Sequence, residues 1–244
     1  MSDQFARTSA LLGEEAMTRL HAARVAVFGV GGVGGYVVEA LVRSGVGTVD
    51  VFDKDDVSIT NLNRQIIALH STVGQDKVSV IAQRMRDINP DVVINEHKMF
   101  YLPENADEID LTAFDFVVDA VDTVAAKIEL AVRCEALGVP LIAAMGAGNK
   151  LDPSKLLISD IYKTSVCPLA RAMRTTLRKK GVKHLTVAWS TEEPLRPVQA
   201  LDNEGLRKDV PASAAFVPSA MGLLIASHVV RQLAIPNSEF RIPN

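Results

Sequence analysis

Cysteine is scarce in this chain. Cys134 and Cys167 are the only two among 244 residues, and no C-x-x-C pair occurs. Two thiols cannot build a four-thiolate zinc site or a disulfide framework, and the count suits a reducing, cytoplasmic compartment. Aromatic residues make up 5% of the chain, so the core must rest on Val, Ile, Leu and Ala. Long apolar runs are missing too. The longest, residues 220–234, is short for a membrane span and is broken by His228 and Arg231, so no membrane partner is expected. Residues 1–15 lack the basic start and apolar run of a secretory leader. One absence is local. Between Ile161 and Thr191 there is no Asp or Glu, yet the stretch carries Lys163, Arg171, Arg174, Arg178, Lys179, Lys180 and Lys183. With a net charge of −3 overall, the remainder of the chain carries about −10.

What is present reads as alternating strands and helices. Arg24 to Phe28 is an apolar run suited to a buried parallel strand, and Thr48 to Phe52 is a second. Between them the spacing predicts a helix over Tyr36 to Ser44, with Val37, Val38, Leu41 and Val42 on one side. Helices are expected over Glu14–Ala22, Gly74–Ile88 and Ala125–Leu137, and strands over Val92–Glu96, Asp115–Asp119 and Leu141–Ala144. This alternation implies a Rossmann-like, doubly wound, mostly parallel α/β sheet over residues 1–150. Residues 151–244 read as a C-terminal α+β extension of the same domain. It holds a strand at Leu156–Ile161, a basic helix at Cys167–Lys180, a strand at His184–Ser190, an exposed loop from Glu192 to Pro211, and an apolar helix at Ser219–Leu233.

The first strand runs into Gly29-Val30-Gly31-Gly32-Val33-Gly34, a G-x-G-x-x-G turn opening a helix. Gly29, Gly31, Gly32 and Gly34 allow a tight turn and close approach of backbone to phosphate, and the helix start offers free N–H groups. Asp53 ends the second strand 19 residues past Gly34, where a carboxylate can accept bonds from ribose hydroxyls. These features fit any ribonucleotide, NAD included. The next segment, with Asn61, Arg64, Gln65 and then Lys77, moves the reading toward a triphosphate. Arg offers a planar fork and Lys a point charge to phosphoryl oxygens. Asp122 follows a strand end and supplies a hard oxygen ligand suited to magnesium.

Taken together, G-x-G-G-x-G, then D-x-D-x-V-x-x-x-N-L-x-R-Q from Asp53 to Gln65, then Lys77 twelve residues on, then D-x-x-D from Asp119 to Asp122, resemble the ubiquitin-activating-enzyme-like family. The likeness covers Arg7 to about Gly148. It implies ATP and Mg2+ as cofactors, Asp53 on the ribose, Asn61 and Arg64 on phosphates, Lys77 near the α-phosphate and Asp122 on the metal. Phe5-Ala6-Arg7-Thr8 resembles the family segment whose arginine reaches the ATP of the other subunit, so Arg7 would act in trans and a homodimer is implied. Within the family the likeness is strongest to the tRNA-modifying dehydratases. It is carried further by Gly146-Ala147-Gly148, Asp152-Pro153, Asp160-Ile161-x-Lys163-Thr164, Pro168-Leu169-Ala170 and Ser190-Thr191-Glu192. That branch adenylates the threonylcarbamoyl carboxylate on an adenosine beside the anticodon and then closes a ring with loss of AMP. A cysteine desulfurase sulfur-relay system is a further partner the likeness allows.

The basic, acid-free stretch is the natural tRNA contact, since its charges can neutralise backbone phosphates. Tyr162 and Trp189 flank it and are either stacking platforms or core. Cys167 sits at a helix start among basic residues, but ring closure needs no enzyme thiol, and a non-essential role is expected. Two alternatives stand beside this reading. An adenylyltransferase for a ubiquitin-like sulfur carrier shares the ATP site but usually carries paired C-x-x-C motifs. An NAD-binding oxidoreductase or sensor has no need of the Arg64/Lys77 cluster.

Overall fold

The computed structural model describes residues 3–198 and 211–235. Its strands are β1 (Arg24–Phe28), β2 (Thr48–Phe52), β3 (Val93–His97), β4 (Phe116–Asp119), β5 (Leu141–Ala144), β6 (Leu156–Asp160) and β7 (Thr186–Ser190). They form one seven-stranded sheet in the order β3-β2-β1-β4-β5-β7-β6. Every neighbouring pair is parallel except β6 with β7. Strand order runs outward from β1 in both directions, so the chain connections diverge between β1 and β4. A crevice opens there at the carboxyl ends of the strands, the place where such sheets bind ligands.

The helices are α1 (Ala6–Leu12), α2 (Glu14–Ala22), α3 (Gly34–Arg43), α4 (Lys77–Ile88), α5 (Val124–Leu137), α6 (Pro168–Lys179) and α7 (Phe216–Ala234). α3 begins two residues earlier than its apolar spacing indicates, because the last glycines of the turn are already helical. Val37, Val38, Leu41 and Val42 are fully buried on it, as that spacing requires. α5 stops where Gly138 turns left-handed (φ +69°), a conformation that suits glycine at a helix end. α1 was not anticipated, being too short and polar to show a period. α4 starts at Lys77, three residues later than expected, after Gly74 at φ +85°.

Residues beyond 150 add to the same sheet, since β7 pairs with β5. α7 packs against α3 and α2, and Gly222 lies so close to α3 that an added Cβ would meet Val33 O at 2.5 Å. α7 is longer than the apolar run suggests and has the length and composition of a membrane-crossing helix, but half of it is buried against the rest of the molecule. The exposed loop expected from Glu192 to Pro211 needs correcting at its start. Glu192 is buried, and its carboxylate accepts from Leu151 N at 3.0 Å and Asp152 N at 2.9 Å. Residues 199–210 of that loop lie outside the described residues.

Candidate active site

The glycine turn is held from three sides. Gly29 N donates to Phe52 O at 2.7 Å, and Val30 N donates to Asp53 Oδ2 at 2.8 Å. Gly29 has φ +88°, and a Cβ there would lie 2.7 Å from Ala120 O, so only glycine lets the β4 loop close on the turn. At Gly34 a Cβ would sit 1.8 Å from Gly29 O. Gly31 is different. Its nearest neighbour would be Gln65 Nε2 at 3.8 Å, so the missing side chain leaves open space above the turn.

The Asn61–Gln65 segment folds over that space. Asn61 Oδ1 accepts from Ser58 N at 3.0 Å, capping the single helical turn Ile59–Asn61. This cap brings the next residues across the glycines. A Cβ on Gly32 would meet Arg64 Cγ at 3.3 Å. The Arg64 guanidinium donates to Thr60 O at 3.0 Å and to Asn63 Oδ1 at 2.9 Å. It has no carboxylate partner among the described residues, and burial holds its pKa below the ordinary arginine range. It remains a cation with capacity for an anion. Gln65 is buried, and its Oε1 accepts from no protein group. An orphaned buried oxygen beside an open glycine cradle fits a polar ligand lying there.

Lys77 faces the same place from α4. It opens that helix, the end where the helix dipole disfavours a cation. Two carboxylates offset this: Nζ lies 3.2 Å from Asp55 Oδ2 and 3.8 Å from Asp53 Oδ1. Lys77 and Asp53 are both nearly buried, which makes the pair costly unless something is gained from it. Asp53 thus ties the turn, through Val30 and Asp55, to the lysine.

Asp122 stands on the other wall of the crevice, on the loop after β4. It is exposed, and among the described residues its carboxylate takes one bond, from Thr123 Oγ1 at 3.2 Å. No group of three or more potential metal ligands exists among the described residues. Arg7 is not brought to this cluster. Phe5 packs on His21 with ring centroids 5.4 Å apart, and Gln4 Nε2 donates to Asn89 Oδ1 at 2.9 Å, at the far end of α4 from Lys77. Twelve helical residues separate those ends by roughly 18 Å. Arg7 is exposed at the amino ends of the strands, at the wrong end of its own sheet for its own crevice.

Around α6 the basic residues sort into two kinds. Ala170, Met173 and Leu177 are buried against Ile161, Val187 and Trp189. The opposite face carries Arg171, Arg178 and Lys179, with Lys163, Lys180 and Lys183 nearby, all exposed and without a carboxylate partner among the described residues. Arg174 departs from the expectation for this set. Its guanidinium donates to Thr164 O at 2.9 Å and to Thr164 Oγ1, tying α6 to the turn before it. Trp189 is core and donates to Ser159 Oγ, whereas Tyr162 is half-buried with the Arg178 guanidinium 5.2 Å from its ring centroid. Cys167 is buried at the start of α6. Cys134 is core, and burial pushes its thiol up to about 12.

Comparison with known proteins decides the class. A profile of the ThiF family matches residues 4–241. The chain belongs to the ThiF family. This ThiF-family chain is 44% identical over 247 residues to the tRNA threonylcarbamoyladenosine dehydratase of Bacillus subtilis, covering 96% of the chain and 95% of that relative. The crystal structure of the Escherichia coli tRNA threonylcarbamoyladenosine dehydratase in complex with ATP superposes with a TM-score of 0.86 at 33% identity, covering 95% of this chain and 93% of that one. The structure of the same enzyme in complex with AMP matches equally, with TM-score 0.86, 33% identity and coverage of 95% and 94%. Sequence reasoning quoted Asp119 within D-x-x-D without giving it a role of its own, and passed over Lys127; both are buried beneath the loop that carries Asp122. A single lysine within the apolar run Val124-Ala125-Ala126-Lys127-Ile128 was the available signal.

Proposed function

We propose that this chain is an ATP-dependent tRNA threonylcarbamoyladenosine dehydratase. The observation that carries the reading is the folding of Arg64, Gln65 and Lys77 over an open glycine turn, in a chain matched end to end by relatives of that name. A carboxylate is a poor electrophile because its leaving group would be oxide. The substrate carboxylate therefore attacks the α-phosphorus of ATP, the bond to the β-phosphate oxygen breaks, and pyrophosphate leaves. The side chain then closes on the activated acyl carbon and AMP departs. The residues position reactants and stabilise phosphate charge, and no general base is needed for the first step.

In this reading Asp53 holds the ribose and Gly31 with Gln65 borders the phosphates. Arg64 and Lys77 take the charge that develops on them, and Asn61 shapes the segment that carries Arg64. Asp122 would hold magnesium. An exposed single carboxylate fits that ion, which keeps waters and completes its shell with substrate phosphates. When bound, the ion supplies neutralisation of phosphate charge. The placement of Arg7 at the far end of its own sheet supports a homodimer in which it completes the partner's crevice. The face bearing Lys163, Arg171, Arg178, Lys179, Lys180 and Lys183 takes tRNA phosphates, and the cytoplasm is where such a substrate is met.

The test is pyrophosphate exchange and AMP release with threonylcarbamoylated tRNA against a ubiquitin-like sulfur carrier. AMP formed only with the tRNA, together with loss of the cyclic nucleoside from tRNA of a deletion strain, is the expected result. Exchange driven by the carrier alone would overturn the reading.

A further inference from the structure

Asp119 is the last residue of β4 and Lys127 lies one turn into α5, and both side chains have 0% exposure. Lys127 Nζ donates to Asp119 Oδ1 at 3.0 Å and lies 2.9 Å from Oδ2, off its bonding direction. The pair reaches the loop between them on both of its main-chain groups at one residue. Asp119 Oδ1 accepts from Val121 N at 3.2 Å, and Lys127 Nζ donates to Val121 O at 3.2 Å. Val121 is flanked by Ala120, whose carbonyl would lie 2.7 Å from a Cβ on Gly29, and by Asp122. A buried ion pair gives uncertain stability for its desolvation, and apolar residues of similar size often do better there. A loop that must be held to a fraction of an ångström at a nucleotide site gives the pair a use.

We propose that Asp119 and Lys127 are positioning residues for adenylation: they clamp Val121 and so fix both the Ala120 wall of the glycine turn and the carboxylate of Asp122. The inference rests on the reading of Asp122 as the magnesium ligand. Neither residue touches substrate. Asp119 acts through the loop, and Lys127 acts through Asp119 and the Val121 carbonyl. Supporting groups of this kind, when altered, lower metal affinity or activity by about 10–100-fold in other metal sites.

The test compares Lys127→Met, Asp119→Leu and the double variant Asp119→Leu/Lys127→Met in the full chain, Leu removing the acceptor of the Val121 amide. Each single change leaves a buried partner unmatched and lowers Tm, and either one alone can fail to fold. The double change removes both charges, so Tm recovers relative to the singles. Three readouts follow in the double variant: the Mg2+ midpoint of ATP–pyrophosphate exchange with modified tRNA, ATP affinity by calorimetry without tRNA, and hydrogen exchange at the Val121 amide. The midpoint should rise by about tenfold or more, and the Val121 amide should lose its protection. A double variant with recovered Tm, wild-type midpoint and wild-type Val121 exchange overturns the proposal. Glu39→Gln, which disturbs the ion pairs of a buried carboxylate with Arg84 and Arg43 between α3 and α4, controls for lost stability and should leave the midpoint unchanged. Asp122→Ala separates the two ideas. If it keeps the wild-type midpoint, the magnesium reading fails. If it shifts the midpoint and the double variant does not, the clamp alone fails.

Discussion

An alanine Cβ at position 34 would sit 1.8 Å from the carbonyl oxygen of Gly29, whereas one at position 31 would have no neighbour closer than 3.8 Å. Two glycines three residues apart in one turn therefore answer to different demands. Gly34→Ala should destabilise the protein by about 3 kcal/mol, as overpacking against backbone does, and should be visible as a lowered Tm without any ligand. Gly31→Ala should leave Tm near the wild-type value and weaken ATP binding by about tenfold, because the new methyl occupies ligand space. Calorimetry alongside thermal melts checks both, and equal Tm losses would show that the turn is merely tight throughout.

Gln4, three residues before Arg7, donates to Asn89 at the end of α4 opposite Lys77. If two subunits share each site, Arg7→Ala and Lys77→Ala proteins are each inactive alone. Mixed and allowed to exchange subunits, they should regain about one quarter of wild-type sites, since half of the dimers are mixed and each mixed dimer holds one intact site. AMP release measured against mixing ratio gives the answer. A flat, inactive series would place Arg7 outside the chemistry.

The cationic face of α6 should respond to charge and not to stability. Arg171→Glu with Arg178→Glu and Lys179→Glu should weaken tRNA binding by more than tenfold at moderate salt and lower the slope of log affinity against log salt by about 2. ATP affinity should not move. Arg174→Ala should behave oppositely, costing about 1–2 kcal/mol of stability through its lost bonds to Thr164 with a smaller effect on tRNA. Filter binding and melts on the same preparations distinguish the two.

Asp50 is fully buried on β2. Burial pushes its carboxyl pKa up, but bonds from Arg24 at 2.8 Å, His97 at 2.9 Å and Asn95 at 3.1 Å outweigh that and hold it below the ordinary range. A folded value below the unfolded one means the stability is present above about pH 4 and is lost as pH falls through the folded value. Asp50→Asn should therefore cost about 2–3 kcal/mol at neutral pH and flatten the acid side of the Tm–pH curve. An unchanged acid limb would remove Asp50 from acid unfolding.

The central strands were legible because parallel strands buried on both faces read as apolar runs, as in residues 25–28 and 116–118, whereas Asp50 interrupts the run of β2. The glycine turn was legible because Gly29 and Gly34 stand where a Cβ would strike backbone, and Asp53 because it ends β2 and accepts from Val30 N at 2.8 Å. The bond of Arg174 to Thr164 was not legible, because a cation on a basic helix looks the same in sequence whether it meets phosphate or a threonine carbonyl. Glu192 was misread as exposed because its partners, the amides of Leu151 and Asp152, are main-chain groups with no side-chain signature. The clamp of Asp119 and Lys127 escaped for a related reason: half of what it grips is the backbone of Val121.

The packing of α7 on α3 has a consequence for how the protein is made. During synthesis the glycine turn, Arg64 and Lys77 leave the ribosome long before residues 216–234. Until those arrive, the face of α3 that meets α7 is uncovered, although β1 and α4 already pack on its other side, and Gly32 lacks its neighbour Pro218. Asn63 likewise waits for the carbonyl of Ser213, which its side chain meets at 2.9 Å. The crevice is thus begun by the glycine turn and finished by Ser213 and Pro218, so a chain that ends before them leaves its wall at Gly32 and Asn63 open.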